Sequence, residues 1–105
     1  MSKKSIRILG LTDADLFIPI LTFVFGEAQL KGRAAVVSTA RLGGPPAARL
    51  PLRLETEAVH ELGHTFGLLH SSDDGCVMHA STYVEEIDLK SDSFCLSCRP
   101  ALGAR

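Results

Sequence analysis

The chain has 105 residues, the size of one domain built on a single modest hydrophobic core rather than of two independent ones. Hydrophobic residues make up 46% and charged residues 22%, a globular balance that excludes a disordered or fibrous chain. With a net charge of -1 and its 11 basic residues scattered, the chain has no cluster able to neutralise several phosphates, so nucleic acid is not an expected partner.

Lys3, Lys4 and Arg7 are followed by Asp13 and Asp15 with no small-residue cleavage site, which argues against a secretory leader. Ser5 to Leu11 alternates imperfectly around Ile6, Ile8 and Leu9, then meets Thr12, Asp13, Ala14 and Asp15. This predicts a buried strand entering a polar turn. Leu16 to Phe25 is the longest apolar run and falls well short of the roughly 20 residues of a membrane span. Its Pro19, its β-branched and aromatic content and the Gly26 that ends it predict a strand or extended loop rather than a helix. Lys31, Gly32 and Arg33 turn the chain into Ala34 to Ala40, a short strand and the candidate sheet edge. Gly43 to Arg49 carries two Gly and two Pro in succession and reads as a linker inside one domain.

After Pro51, which a first helical turn tolerates, Leu52 to Phe66 has no breaker but Gly63 and sets Val59, Leu62 and Phe66 at helical spacing. A helix is predicted there. Beyond Gly67 the chain is turn-rich through Asp73, Asp74 and Gly75, and the tail is too short for a second sheet.

The predicted helix contains His60-Glu61-Leu62-Gly63-His64, which sets two imidazoles one turn apart on one face. Glu61 is rotated about 100° from His60, so it can reach a water on a metal ion without ligating the ion. Gly67 stands where a helix can stop through a left-handed residue, after which the chain can swing His70 back. Three neutral histidines leave one tetrahedral position open, the arrangement of catalytic rather than structural zinc. The same pattern also arises by chance from unrelated histidines, but Gly67 and His70 at fixed offsets make that improbable.

His60 to His70 followed by Met78 resembles the metzincin signature of zinc peptidases. Cys76-Val77-Met78 and Cys95-Leu96-Ser97-Cys98 resemble one branch in particular, the archaemetzincins, over Leu9 to about Cys98. The resemblance implies an α+β, metzincin-like zincin domain over residues 1-105, with a small mixed β-sheet, an active-site helix and an irregular Met-turn C-terminal part. Its upper part, to about residue 67, is short at the N-terminus compared with the family, and its lower part spans about 68-105. The resemblance also implies a zinc-dependent metallopeptidase that hydrolyses peptide bonds through a zinc-bound water, with His60, His64 and His70 as ligands and Glu61 as general base. Met78 would be a structural floor under the histidines. The substrate would be a peptide or protein lying extended along the Ala34 to Ala40 edge.

In that family four thiolates hold a second, structural zinc. Cys76, Cys95 and Cys98 match three of them, and Ser71 stands where the fourth is expected. Water, Asp73, Asp74 and His79 are the candidates to complete the set, and a reduced, metal-free trio is the alternative. Tyr83 is a poorly spaced candidate for an oxyanion donor and is left out of the catalytic set. A non-catalytic zinc-binding module is the alternative to an enzyme. A cytoplasmic protein, monomer or weak dimer, with no membrane partner, completes the expectation.

Overall fold

The structure is a computed structural model that describes residues 7–18 and 23–102. Strand β1 spans Ile8–Thr12, β2 Leu16–Phe17, β3 Phe23–Val24, β4 Gly26–Ala28 and β5 Ala34–Ser38. Helix α1 spans Leu50–Thr65 and α2 Val84–Leu89, with 3-10 turns at Ala47–Arg49 and Arg99–Leu102. The result is a small α+β fold with a mixed three-stranded sheet of order β1-β5-β4. No described helix is long and apolar enough to cross a membrane.

β1 runs parallel to β5, pairing Ile8 with Ala34 through Thr12 with Ser38. β4 runs antiparallel on the other side of β5, pairing Gly26 with Val37 and Ala28 with Ala35. The strand expected at the sheet edge is therefore the central one, and it stops at Ser38. Its small and β-branched residues suit that place, since Ala35 and Val37 are buried beneath α1 and an all-paired strand needs narrow side chains. The expected β1 begins in part on residues 5 and 6, which lie outside the described residues.

The single strand expected over Leu16 to Phe25 is two short ones folded on each other, with Leu16 opposite Val24 and Phe17 opposite Phe23. Residues 19–22 lie outside the described residues. β4 follows at once, and the sequence reading took its first residue, Gly26, only as a strand terminator.

Two apolar clusters flank α1. Phe25, Val37, Leu42 and Ile87 fill the space between the sheet, α1 and α2. Leu68, Cys76, Val77, Met78 and Cys98 pack on the other side with Val59 and Phe94. Yet the face that α1 buries is polar: Arg53, Thr56, Glu57, His60, Glu61 and Thr65 are all buried, whereas Phe66 is 38% exposed. The apolar residues Val59, Leu62 and Phe66 mark a flank of the helix, not its centre.

Arg53 is completely buried. Its guanidinium donates to both carboxylate oxygens of Asp88 at 2.8 Å. It also donates to the backbone carbonyls of Leu42 at 2.8 Å and Pro45 at 2.9 Å, and to that of Gly44. The glycine- and proline-rich segment, which the sequence suggests is a linker, is thereby fastened to α1 and α2. Helix α2 was not anticipated. Tyr83 precedes it in place of the usual Ser, Thr, Asp or Asn, and the Glu86 carboxylate accepts the N–H groups of Tyr83 at 3.1 Å and Thr82 at 2.5 Å.

The hydrogen bonds from Arg53, reinforced by Arg49, hold the Asp88 carboxyl below the ordinary aspartate range. A depressed folded-state pKa makes this stabilisation complete above about pH 4 and lost as pH falls below it. Asp88→Asn should lower stability at pH 7 and reduce the further loss between pH 5 and pH 2. Arg53→Met should cost about 3–5 kcal/mol, because it leaves three carbonyls without their donor and the half-buried Asp88 carboxylate with Arg49 alone. Urea unfolding across that pH range measures both.

Candidate metal centre

His60 and His64 project from one face of α1 a turn apart. The helix ends at Thr65, and Gly67 takes a φ of 94°, a left-handed value that costs glycine little. The Gly67 N–H donates to the His64 carbonyl at 2.9 Å, and the chain reverses towards the helix. That reversal returns His70 to its partners. The three ring centroids lie 4.9, 5.4 and 5.1 Å apart, and each imidazole offers a nitrogen within 4.8 Å of the other two.

Two of the rings are held by backbone carbonyls. His60 Nδ1–H donates to Val77 O and His64 Nδ1–H to Leu68 O, each at 2.7 Å. A carbonyl can only accept, so both rings carry their proton on Nδ1 and leave Nε2 as a free donor atom aimed away from the carbonyl. Burial, then the ammonium of Lys90, brings the His60 pKa down to about 3. Burial lowers His70 as well. These two rings are therefore neutral at pH 7, the form that binds a cation. Donor type, tautomer and spacing all fit a zinc ion held by His60, His64 and His70.

Glu61 lines the same cleft, a space of about 510 Å³ bounded by Gly26, Glu27, His60, His64 and His70 among others. Burial, then a hydrogen bond with the buried Glu57 carboxyl, pushes Glu61 up to about 10. Burial raises Glu57 too, so the pair keeps at least one proton at neutral pH. Lys90 stands beside them, its Nζ donating to His79 O at 2.6 Å and lying 3.4 Å from His60 Nδ1.

Two glycines permit close approach. A Cβ on Gly26 would lie 2.7 Å from Val36 O and 2.8 Å from Glu61 Cγ, so β4 can run along Glu61 only without a side chain there. A Cβ on Gly63 would collide with Sδ of Met78, which is fully buried beneath the helix.

Residues 2–103 match the sequence pattern of Peptidase family M54. The chain belongs to that family. It is 51% identical over 96 residues to the archaemetzincin of Methanopyrus kandleri, covering 91% of this chain and 55% of that one. With the archaemetzincin of Methanocaldococcus jannaschii it shares 41% over 104 residues, covering 93% and 58%. The crystal structure of the Methanopyrus kandleri archaemetzincin superposes with a TM-score of 0.87 at 46% identity, covering 99% of this chain and 60% of that one. That of the Archaeoglobus fulgidus archaemetzincin complexed with malonate gives 0.84 at 41% identity, covering 94% and 63%. The chain thus spans little more than half the length of the curated relatives it matches.

This M54 chain also brings its three cysteines together, with one sulfur from each of Cys76, Cys95 and Cys98 within 4.8 Å of the others. Burial opposes ionisation of Cys95, but hydrogen bonds from Ser71 and the Cys98 backbone outweigh it and bring its pKa down to about 7. Burial pushes Cys98 up to about 12. None of the candidates Asp73, Asp74 and His79 joins the three, while Ser71, which stands where the fourth thiolate is expected, has its Oγ 3.8 Å from Cys95 Sγ. His79 is engaged elsewhere: its Nδ1 donates to Ser71 O at 2.8 Å, and its Nε2 is 3.7 Å from Asp74. Asp73 Oδ1 accepts the Gly75 N–H at 2.9 Å. Tyr83 lies at the start of α2 and is 62% exposed.

Sequence reasoning missed Gly26, Glu57 and Lys90. Glu57 was legible in principle, being three residues before His60 and four before Glu61 on one helical stripe. Lys90 carried no local signal, because tertiary packing alone sets it against a histidine thirty residues earlier. Gly26→Ala and Gly63→Ala should each lower stability by about 1–3 kcal/mol through overpacking. Exposed Gly43, where a Cβ would meet nothing within 4 Å, is the control and should shift far less on substitution by Ala when all three are compared by chemical unfolding.

Proposed function

We propose that this chain carries the catalytic centre of a zinc metallopeptidase, with His60, His64 and His70 as ligands and Glu61 as general base. The observation that carries the reading is the convergence of three imidazoles, two of them locked in the Nδ1–H tautomer, beside a buried carboxylate in one cleft. Zinc bound there supplies a Lewis acid, and its charge favours the ionised form of Glu61.

Glu61 takes a proton from the attacking water as the oxygen adds to the peptide carbonyl carbon. It then delivers that proton to the amide nitrogen as the carbon–nitrogen bond breaks. The second proton of the water passes from the new carboxyl group to the amine, releasing an ammonium and a carboxylate. Glu57 orients Glu61 through their hydrogen bond, and Lys90 balances the buried negative charge. Met78 forms the apolar floor of a Met-turn in this metzincin-like site.

The substrate is a peptide that adds to β4, the strand at the sheet edge nearest the cleft among the described residues. This replaces the edge expected at Ala34 to Ala40. Gly26 lets that strand approach Glu61 closely. Cys76, Cys95 and Cys98 would hold a second, structural zinc, which would give two per chain. Three unpaired thiols suit a reducing compartment such as the cytoplasm.

Glu61→Ala should keep the zinc content while losing about 10²- to 10⁴-fold in peptide turnover. His64→Ala should lose the metal from that site, and a chelator should abolish activity that added zinc restores. Peptide digests scored beside metal analysis make the comparison. Turnover by Glu61→Ala equal to that of the unaltered chain would remove Glu61 from the mechanism, and turnover indifferent to chelator would remove zinc.

A further inference from the structure

The cysteine cluster has three thiol corners and an oxygen at the fourth. Cys76 and Cys98 have sulfurs 3.9 Å apart. Zinc–sulfur bonds of about 2.3 Å in a tetrahedron separate neighbouring sulfurs by about 3.8 Å. That pair is therefore spaced as two corners of one site, and the Cys95 sulfur lies within 4.8 Å of both. Cys76 Sγ also accepts the N–H groups of Met78 at 3.4 Å and Cys95 at 3.3 Å, which fix its place in the trio.

Ser71 Oγ lies 3.8 Å from Cys95 Sγ, a corner-to-corner distance. It already accepts the Asp73 N–H at 3.1 Å, which leaves its own proton free to point at the Cys95 sulfur. A neutral hydroxyl turned in this way is a poor zinc donor beside three thiolates. Among the described residues, no fourth His, Cys, Asp or Glu joins the trio. A cavity of about 580 Å³ opens at this corner, bounded by Ser71, Asp73, Cys95, Leu96 and Cys98 among others. Its lining is mixed: Leu69, 67% exposed, and Leu96, 78% exposed, offer apolar surface beside Ser71, Ser72, Asp73 and Ser97.

We propose that the metal held by Cys76, Cys95 and Cys98 keeps an exchangeable fourth position beside Ser71, and that this position takes a small thiol from solution. A soft donor set prefers a soft fourth ligand. The cavity admits its carbon chain against Leu69 and Leu96, and the Ser71 hydroxyl can donate to the incoming sulfur. In the exchange the thiol releases its proton to solvent, its sulfur bonds the metal, and the weaker donor leaves, with no change of oxidation state. The proposal rests on the cysteines binding a metal and is independent of catalysis at the histidines.

Cobalt(II) is the probe, because cobalt–thiolate charge-transfer absorption in the near ultraviolet reports the cysteine site and not the imidazole one. In the full chain loaded with cobalt, adding 2-mercaptoethanol should intensify and shift this band to saturation. Ser71→Cys should show the stronger band before any thiol is added and should not respond to it. Zinc should also transfer to a chromogenic chelator more slowly from Ser71→Cys than from the unaltered chain. A thiolate band that 2-mercaptoethanol does not move would overturn the open corner while leaving the metal site standing. Absence of the band, with all three cysteines still alkylated in the presence of cobalt, would overturn both.

Discussion

Helix α1 turns a charged face towards the interior, and nearly every neighbouring element is placed to satisfy it. A buried guanidinium, two buried carboxyls and a buried imidazole would each cost several kcal/mol if left without partners. Arg53 is met by Asp88 from α2 and by carbonyls of residues 42, 44 and 45. His60 is met by the Val77 carbonyl, and Glu61 by Glu57. Lys90, buried itself, brings a positive charge to the same region.

This arrangement divides one helix between two tasks. Its N-terminal half fastens the fold through Arg53, and its C-terminal half turns His60, Glu61 and His64 to the cleft. The two apolar clusters on either side keep the polar stripe out of bulk water. The same low-polarity surroundings raise Glu57 and Glu61 and depress His60. Stability and site chemistry thus draw on one helix through separate contacts: Arg53 on Asp88 and the carbonyls of residues 42, 44 and 45, His60 on the Val77 carbonyl.

Glycine is used here for clearance. Gly26 lets an edge strand lie against Glu61, Gly63 lets Met78 press against the helix, and Gly67 supplies the left-handed turn that returns His70. Only the third was visible as a turn signal beforehand. The other two depend on what lies across the gap, and a sequence pattern does not show which strand or loop that is.

The histidine set and its carboxylate were legible because they depend on local geometry. Spacings of four and one on a helix, followed by a glycine stop, fix the directions of His60, His64 and Glu61 whatever the rest of the chain does. The cysteine spacing was likewise enough to suggest a cluster. Strand order was not legible: Ala34 to Ser38 has the same side chains whether it stands at the edge or at the centre, and only pairing with both β1 and β4 decides. The polar face of α1 was hidden for a related reason, since apolar periodicity points to Val59, Leu62 and Phe66 while the deepest positions hold charges whose partners come from α2 and from loops far along the chain. The sequence by itself determined which atoms could hold a metal. The tertiary structure decided what surrounds them, because burial, tautomer and proton affinity arise from contacts between residues that are distant in the chain.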